Sequence, residues 1–170
     1  YYLKTLAQVI HMQLEYTYMQ SAVGQLLLAG EGKVLHYLGF PMGKMPLSPA
    51  SDWIFNRLAF KPIRRQIEAY FAGECKQFDI AIAPFGTEFQ MQVLSALQQI
   101  PYGQTRSYKD IARVIDRPKA VRAVGAANGR NPIPLIIPCH RVIGANGSLT
   151  GFAGGEDTKA FLLRLEGAIK

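Results

Sequence analysis

The sequence predicts an α/β protein in two parts, a small α/β half over residues 12–84 and a mostly helical half over 85–170 that contains a helix-turn-helix. Three observations predict it. Residues 12–40 alternate apolar and polar side chains between glycine turns, which is the pattern of strands. Residues 87–128 instead repeat apolar side chains at helical spacing, interrupted by two tight turns. Pro84-Phe85-Gly86 separates the two patterns and reads as a linker.

In chain order, Tyr1 to His11 precedes the first clear strand and reads as a leader, with His11-Met12 as a possible cloning junction and the natural start at Met12. Leu14 to Tyr18 alternates, a second apolar run starts at Gly24, and Lys33 to Gly39 follows the turn at Gly30-Glu31-Gly32, which together suggest an antiparallel meander. Pro41 to Ser51 is a connector. Asp52 to Ala72 spaces Trp53, Leu58, Ile63, Ile67, Tyr70 and Phe71 for one or two helices, interrupted at Pro62. Phe78 to Ile82 closes this half as a strand. Cys75, His11 and His36 are too scattered for a zinc ligand set, so no metal site is expected.

In the second half Thr87 is an N-cap for a core helix carrying Phe89, Val93, Leu97 and Ile100, which Pro101-Tyr102-Gly103 ends. Ser107 to Asp110 has the form of a capping box and starts a helix through Ile111, Ala112, Val114 and Ile115. Asp116-Arg117-Pro118 turns the chain, and Lys119 to Asn128 is a second short helix with Pro118 tolerated at its start. On that helix Arg122, Ala126 and Gly129 share one face, and Val121 and Val124 point elsewhere. A face of small residues lets the backbone come close to a groove wall. A final amphipathic helix runs from Gly155 to Gly167, with Ala160, Phe161, Leu163 and Leu165 as its buried side.

Composition bounds the function. The chain of 170 residues is 49% hydrophobic and 18% charged, which is globular, and its apolar runs fall far short of the roughly 18 residues of a membrane span. The net charge of +7 is uneven: residues 1–85 carry net +2, whereas 100–145 alone carry eight Lys/Arg against two Asp/Glu. A basic excess around a helix-turn-helix points to a polyanion such as DNA, with a solvated basic face as the plain alternative. Two cysteines make no disulfide framework, so a reducing compartment is expected, cytoplasmic or, in a compartmented cell, nuclear.

The chemistry centres on Cys139. It follows a proline and a short apolar run and precedes His140 and Arg141. A cysteine after an apolar run can be a small buried hydrophobe. Cationic neighbours, however, lower a thiol's pKa below its free value of about 8.5 and yield the reactive thiolate, so an easily ionised nucleophile is expected.

Pro138-Cys139-His140-Arg141-Val142 resembles the alkyl-acceptor motif of the O6-alkylguanine-DNA alkyltransferases (methylated-DNA–protein-cysteine methyltransferases). The resemblance extends over residues 85–168 through Pro101-Tyr102-Gly103, Ser107-Tyr108, the run from Arg122 to Pro132, and Glu166. It implies a ribonuclease-H-like N-terminal domain and a winged-helix-like C-terminal one. It also implies suicidal transfer of an alkyl group from O6 of guanine, and from O4 of thymine, to Cys139, with no cofactor.

By the same resemblance Glu166 orients His140, which deprotonates Cys139 through a water, and Asn131 holds the loop between recognition helix and site. The helix enters the minor groove of double-stranded DNA with little sequence preference. Ser107, Ala126, Gly129 and Arg130 lie along the DNA, and Arg122 inserts where the base leaves. Tyr108 turns the phosphate and donates to the departing guanine. Val142, Phe152, Ala153 and Pro134 form the base pocket, with Phe152 standing where tyrosine is common in the family. Arg122 as a plain surface arginine, Tyr108 as packing, Glu166 as a solvated helix end and Asn131 as a turn residue are the plain readings. A non-catalytic helix-turn-helix module for alkylated DNA and a Cys-His-Asn hydrolase are the rival functions. The protein is expected to be soluble and monomeric.

Overall fold

The computed structural model describes residues 13–43 and 46–170, so the reading of Tyr1 to His11 as a leader lies outside the described residues. β1 (Glu15–Ser21), β2 (Gly24–Glu31) and β3 (Val34–Gly39) form the antiparallel meander, Tyr18 pairing with Leu27 and Leu28 with Leu38. The hairpin turns are closed by Ser21 Oγ donating to the carbonyl of Gly24 at 2.7 Å and by Gly32 at φ +58°, a left-handed conformation that suits glycine. Two short strands outside the predicted meander widen it. β4 (Ile54–Phe55) pairs parallel to β1 and β5 (Ala81–Ile82) parallel to β3, giving the order β4-β1-β2-β3-β5.

Two expectations change here. Ile54-Phe55 is strand, and the single helix of the 52–72 region, α1 (Lys61–Phe71), begins next to Pro62. Proline in a first helical turn lacks an N–H that would be unpaired there anyway, so Pro62 starts the helix and does not interrupt it. The strand predicted from Phe78 shrinks to Ala81–Ile82, because 78–80 leave the ladder and Asp79 trades backbone bonds with the Gln66 amide at 2.8 Å.

α2 (Glu88–Gln98) carries the expected Thr87 cap, completed as a capping box by Gln90. β6 (Arg106–Ser107) leads into α3 (Tyr108–Val114), whose Ser107–Asp110 box is also as predicted. α4 (Val121–Gly129) starts two residues later than expected, so Pro118 lies in the turn before it. A 3-10 turn, Cys139–Arg141, runs into β7 (Val142–Ile143), and α5 (Glu156–Leu165) ends the chain. β6 and β7 pair in parallel, which sets the start of α3 beside the 3-10 turn.

The α5 face is rotated from the prediction. Thr158, Lys159, Leu162 and Leu163 are buried and Phe161 is exposed; of the predicted residues Leu163 is buried and Ala160 and Leu165 are half-buried, because the stripe at 158, 159, 162 and 163, spaced at i, i+4, is the one turned to the core. The two halves share one core: Leu28, Leu35 and Ile67 from the first pack in the same cluster as Val93, Val124 and Ile137 from the second. Each such fully buried aliphatic contributes about 1.5–3 kcal/mol. The Leu38 N–H donates across the halves to the carbonyl of Pro132 at 3.0 Å. None of the described helices is long and apolar enough to cross a membrane.

Candidate functional site

The loop from Asn131 to Pro138 sets the position of Cys139. Asn131 staples it from inside: its Nδ2 donates to the carbonyl of Ile137 at 2.8 Å, and its Oδ1 accepts from the Ile133 N–H at 3.0 Å. Within the staple Leu135 is held at φ +76°, a conformation costing a branched residue about 1–2 kcal/mol, sustained here by full burial. The 3-10 turn follows, and Asn128 of α4 donates to the Cys139 carbonyl at 3.4 Å. α4 and the thiol thus hang from one short loop.

His140 and Glu166 meet as the resemblance implied: His140 Nε2 lies 2.7 Å from Glu166 Oε1, both side chains fully buried. Arg141 adds Nε to Oε2 at 2.9 Å and Nη2 to Oε1 at 3.0 Å, and the Gly103 N–H donates to Oε2 at 3.1 Å. Burial alone would raise the Glu166 pKa, but the bonds from His140 and Arg141 outweigh it and hold the carboxyl well below the usual carboxylate range. Glu166 is therefore an ionised acceptor, and Nε2 of His140 is the donor. Burial also keeps His140 below its ordinary value, so the ring is neutral at pH 7. Its other nitrogen, Nδ1, is buried and has no hydrogen-bond partner among the described residues.

The structure corrects the expectation of an easily ionised thiol. Cys139 is 0% exposed, and burial pushes its pKa up to about 11, against the weaker opposing effects of Asn131 and Lys159. The neighbouring cations do not serve it: Arg141 spends its guanidinium on Glu166 and the Ile100 carbonyl, and His140 carries no charge. Sequence reading missed Lys159. Its ammonium is buried within α5, donates to the carbonyls of Val142 and Thr150, and has a pKa lowered by burial to about 8. The only sequence signal was a lysine one turn into a helix that also carries Glu166. Tyr70 was also missed as a site residue, and its hydroxyl donates to Glu166 Oε1 at 2.7 Å.

The other predicted residues divide between rim and interior. Arg122, Ala126, Gly129 and Arg130 are exposed along one side of α4, and Ser107 caps α3. The Tyr108 hydroxyl donates to the Thr150 carbonyl at 2.9 Å and so closes the glycine loop over the site. Gly151 is needed there, since a Cβ on it would stand 2.5 Å from that hydroxyl. A groove of about 530 Å³ runs between α4 and this loop, lined by Gly125, Gly129, Thr150, Gly151, Phe152 and Ala153. Pro134 lines a neighbouring cavity of about 390 Å³ with Ala153 and Phe40. Phe152 is 8% exposed and edge-packed on Phe40 at 5.5 Å, with the His140 ring 6.4 Å away. Val142, expected in the base pocket, is fully buried, and its carbonyl accepts from Lys159. Among the described residues no cluster of His, Cys, Asp and Glu could hold a metal ion.

Comparison with known proteins bears on both halves. Residues 14–84 match the model of the 6-O-methylguanine DNA methyltransferase, ribonuclease-like domain, and residues 88–168 that of the same family's DNA binding domain. The chain is 55% identical to a methylated-DNA–protein-cysteine methyltransferase of Methanosarcina acetivorans, over 90% of this chain and 98% of that one. It is 51% identical to the protein so named in Mycolicibacterium paratuberculosis, over 90% and 92%. The crystal structure of Mycobacterium tuberculosis OGT in complex with DNA superposes with a TM-score of 0.85 at 47% identity, covering 91% of this chain and 93% of that one. With matches across both halves and over nine-tenths of its relatives' length, the chain belongs to the 6-O-methylguanine DNA methyltransferase family.

Proposed function

We propose that this chain reverses DNA alkylation directly, Cys139 Sγ taking the alkyl group from O6 of guanine, and from O4 of thymine, in one irreversible displacement. The observation that carries the reading is a buried thiol followed by a histidine whose Nε2 is tied to Glu166 while its Nδ1 is free to accept a proton. With the thiol pKa near 11, little thiolate exists at rest, so a base must act in the step itself. His140 Nδ1 takes the proton through a water, and Glu166 steadies the imidazolium that forms. Sulfur then bonds to the alkyl carbon, the carbon–oxygen bond breaks, and its electron pair leaves with the base. Lys159 stabilises the sulfur while it is anionic, and Tyr108, released from Thr150, donates to the departing guanine. The step requires neither metal nor organic cofactor.

A stacked base cannot reach a fully buried thiol, so the alkylated nucleotide is extruded at a cost of a few kcal/mol. Arg122 fills the hole it leaves. Ser107, Ala126, Gly129 and Arg130 follow the minor groove of double-stranded DNA, bound through its phosphates with little sequence preference. Val142, Phe152, Ala153 and Pro134 enclose the base, which enters by the groove between α4 and the glycine loop. Asn131 couples helix to thiol. We read 12–84 as the N-terminal α/β domain and 85–170 as the DNA-binding and alkyl-acceptor domain, a division that the limits of the two family matches support. The protein acts as a monomer, in the cytoplasm or, where there is one, the nucleus.

A thioether on Cys139 has no good leaving group, so one molecule repairs one lesion. Incubation with excess methylated DNA should consume lesion only up to the protein concentration and leave one methyl on the Cys139 peptide by mass spectrometry. Lesion loss well beyond one equivalent, or methyl on Cys75, would overturn the assignment. A hydrolase would keep turning over, and a binding-only module would transfer nothing.

A further inference from the structure

Tyr70 is a buried titratable group for which the transfer step above has no use. It sits near the end of α1 in the N-terminal half, 1% exposed, and reaches across the shared core to the Glu166 carboxylate of the other half. We propose that Tyr70 is a positioning residue of the His140–Glu166 pair, fixing the Glu166 oxygen that faces His140 and weakening that oxygen as an acceptor. The proposal rests on His140 acting as the base toward Cys139.

The donors crowding Glu166 carry the case. A carboxylate offers about four lone-pair directions, yet five N–H or O–H groups converge on this one. Oε2 takes Arg141 Nε at 2.9 Å and the Gly103 N–H at 3.1 Å. Oε1 takes Arg141 Nη2 at 3.0 Å together with His140 Nε2 and the Tyr70 hydroxyl, both at 2.7 Å. The two shortest bonds therefore compete for one oxygen. Each charge-assisted donor lowers the basicity left for the others, so the pull of Glu166 on the Nε2 proton is set partly by Tyr70.

The groups around this point are few. Tyr70 faces Glu166 from the end of α5, Arg141 from the 3-10 turn, and Tyr102 from the loop after α2, with ring centroids 6.1 Å apart. His140 faces Glu166, Arg141 and Lys159. Tyr102 supplies the control, because its hydroxyl donates to the Leu165 carbonyl at 3.3 Å and makes no hydrogen bond to the carboxylate.

Tyr70→Phe removes only the hydroxyl. Glu166 then becomes the stronger acceptor, the His140 Nε2–H bond tightens, and the imidazolium is stabilised. The Nε2–H proton of His140 should move downfield by NMR, a readout that needs no activity. The acid limb of the pH profile for the first-order transfer rate should rise by on the order of 0.5–1 pH unit. Site-specific 3,5-difluorotyrosine at position 70, a stronger donor of nearly the same shape, should move both readouts the opposite way and guards against a misfolded Tyr70→Phe. Tyr102→Phe should move neither.

A Tyr70→Phe variant that is less stable but keeps the Nε2–H resonance and the acid limb would make Tyr70 structural and overturn the inference. So would equal shifts from Tyr102→Phe. If wild-type protein transfers no alkyl group, the functional reading fails, whereas the NMR comparison still decides the coupling.

Discussion

Cys139 keeps its proton to high pH because its charged form is shut off from bulk solvent and has no directly bound cation; Lys159, whose charge opposes the shift only weakly, is engaged by two carbonyls. A nucleophile stored in this way is protected from small electrophiles until a substrate brings the groups of the site into action. Raising a thiol from about 8.5 to about 11 cuts the thiolate at neutral pH about 300-fold. In the free protein, iodoacetamide at pH 7.5 should therefore label the partly exposed Cys75 well before Cys139, as read by peptide mapping. Faster labelling of Cys139 would mean that the thiol is not held as described.

At the level of elements, the groove is made by two pieces that present glycines to it, α4 through Gly125 and Gly129 and the glycine loop through Gly151, with the Tyr108 ring at the start of α3 packed close to Gly125 and Gly151. Gly151→Ala meets two obstacles. The residue sits at φ +85°, unfavourable for any side chain by about 1–2 kcal/mol, and its Cβ would press on the Tyr108 hydroxyl at 2.5 Å. The variant should unfold at lower denaturant by a comparable amount and transfer more slowly; unchanged stability and rate would show that the loop simply moves aside. Arg122 is exposed on α4. Arg122→Ala should slow repair of duplex DNA at least tenfold more than reaction with free O6-benzylguanine, because only the duplex demands extrusion. Equal slowing on both substrates would remove Arg122 from that role.

The whole molecule is bound by one core and one polar knot. Tyr70 of the first half and Gly103, His140, Arg141 and Glu166 of the second are joined through a single carboxylate. That knot makes stability depend on pH with a definite sign. His140 has a folded pKa below its unfolded value of about 6.5, so its contribution is present above that pH and lost as pH falls. Glu166, also depressed, adds a second loss below the ordinary carboxylate value of about 4.3. On the alkaline side the raised Cys139 and the lowered Lys159 act in opposite senses. The urea midpoint should accordingly fall from pH 7.5 to 5.5 and fall further below pH 4.5. A flat midpoint across the first interval would contradict a neutral, buried His140.

Local rules were enough to read much of the chain. The Thr87 and Ser107 caps, the meander, the helix-turn-helix and its small-residue face follow from side-chain spacing and turn chemistry within a few neighbouring residues, and the structure has all of them. The Cys139, His140 and Glu166 set was legible through its motif, though residues 26 apart meet only because α5 folds back on the 3-10 turn. What sequence could not supply was environment. The parallel edge strands β4 and β5 depend on partners far along the chain, and two-residue segments carry no period of their own. Lys159 and Tyr70 look like an ordinary surface lysine and core aromatic until the fold buries one beside the thiol and aims the other at Glu166. The ionisation of Cys139 was misread for the same reason. A thiol's pKa follows solvation and the free charge around it, and only the tertiary structure decides that Arg141 turns to Glu166 and that the sulfur is buried away from bulk solvent.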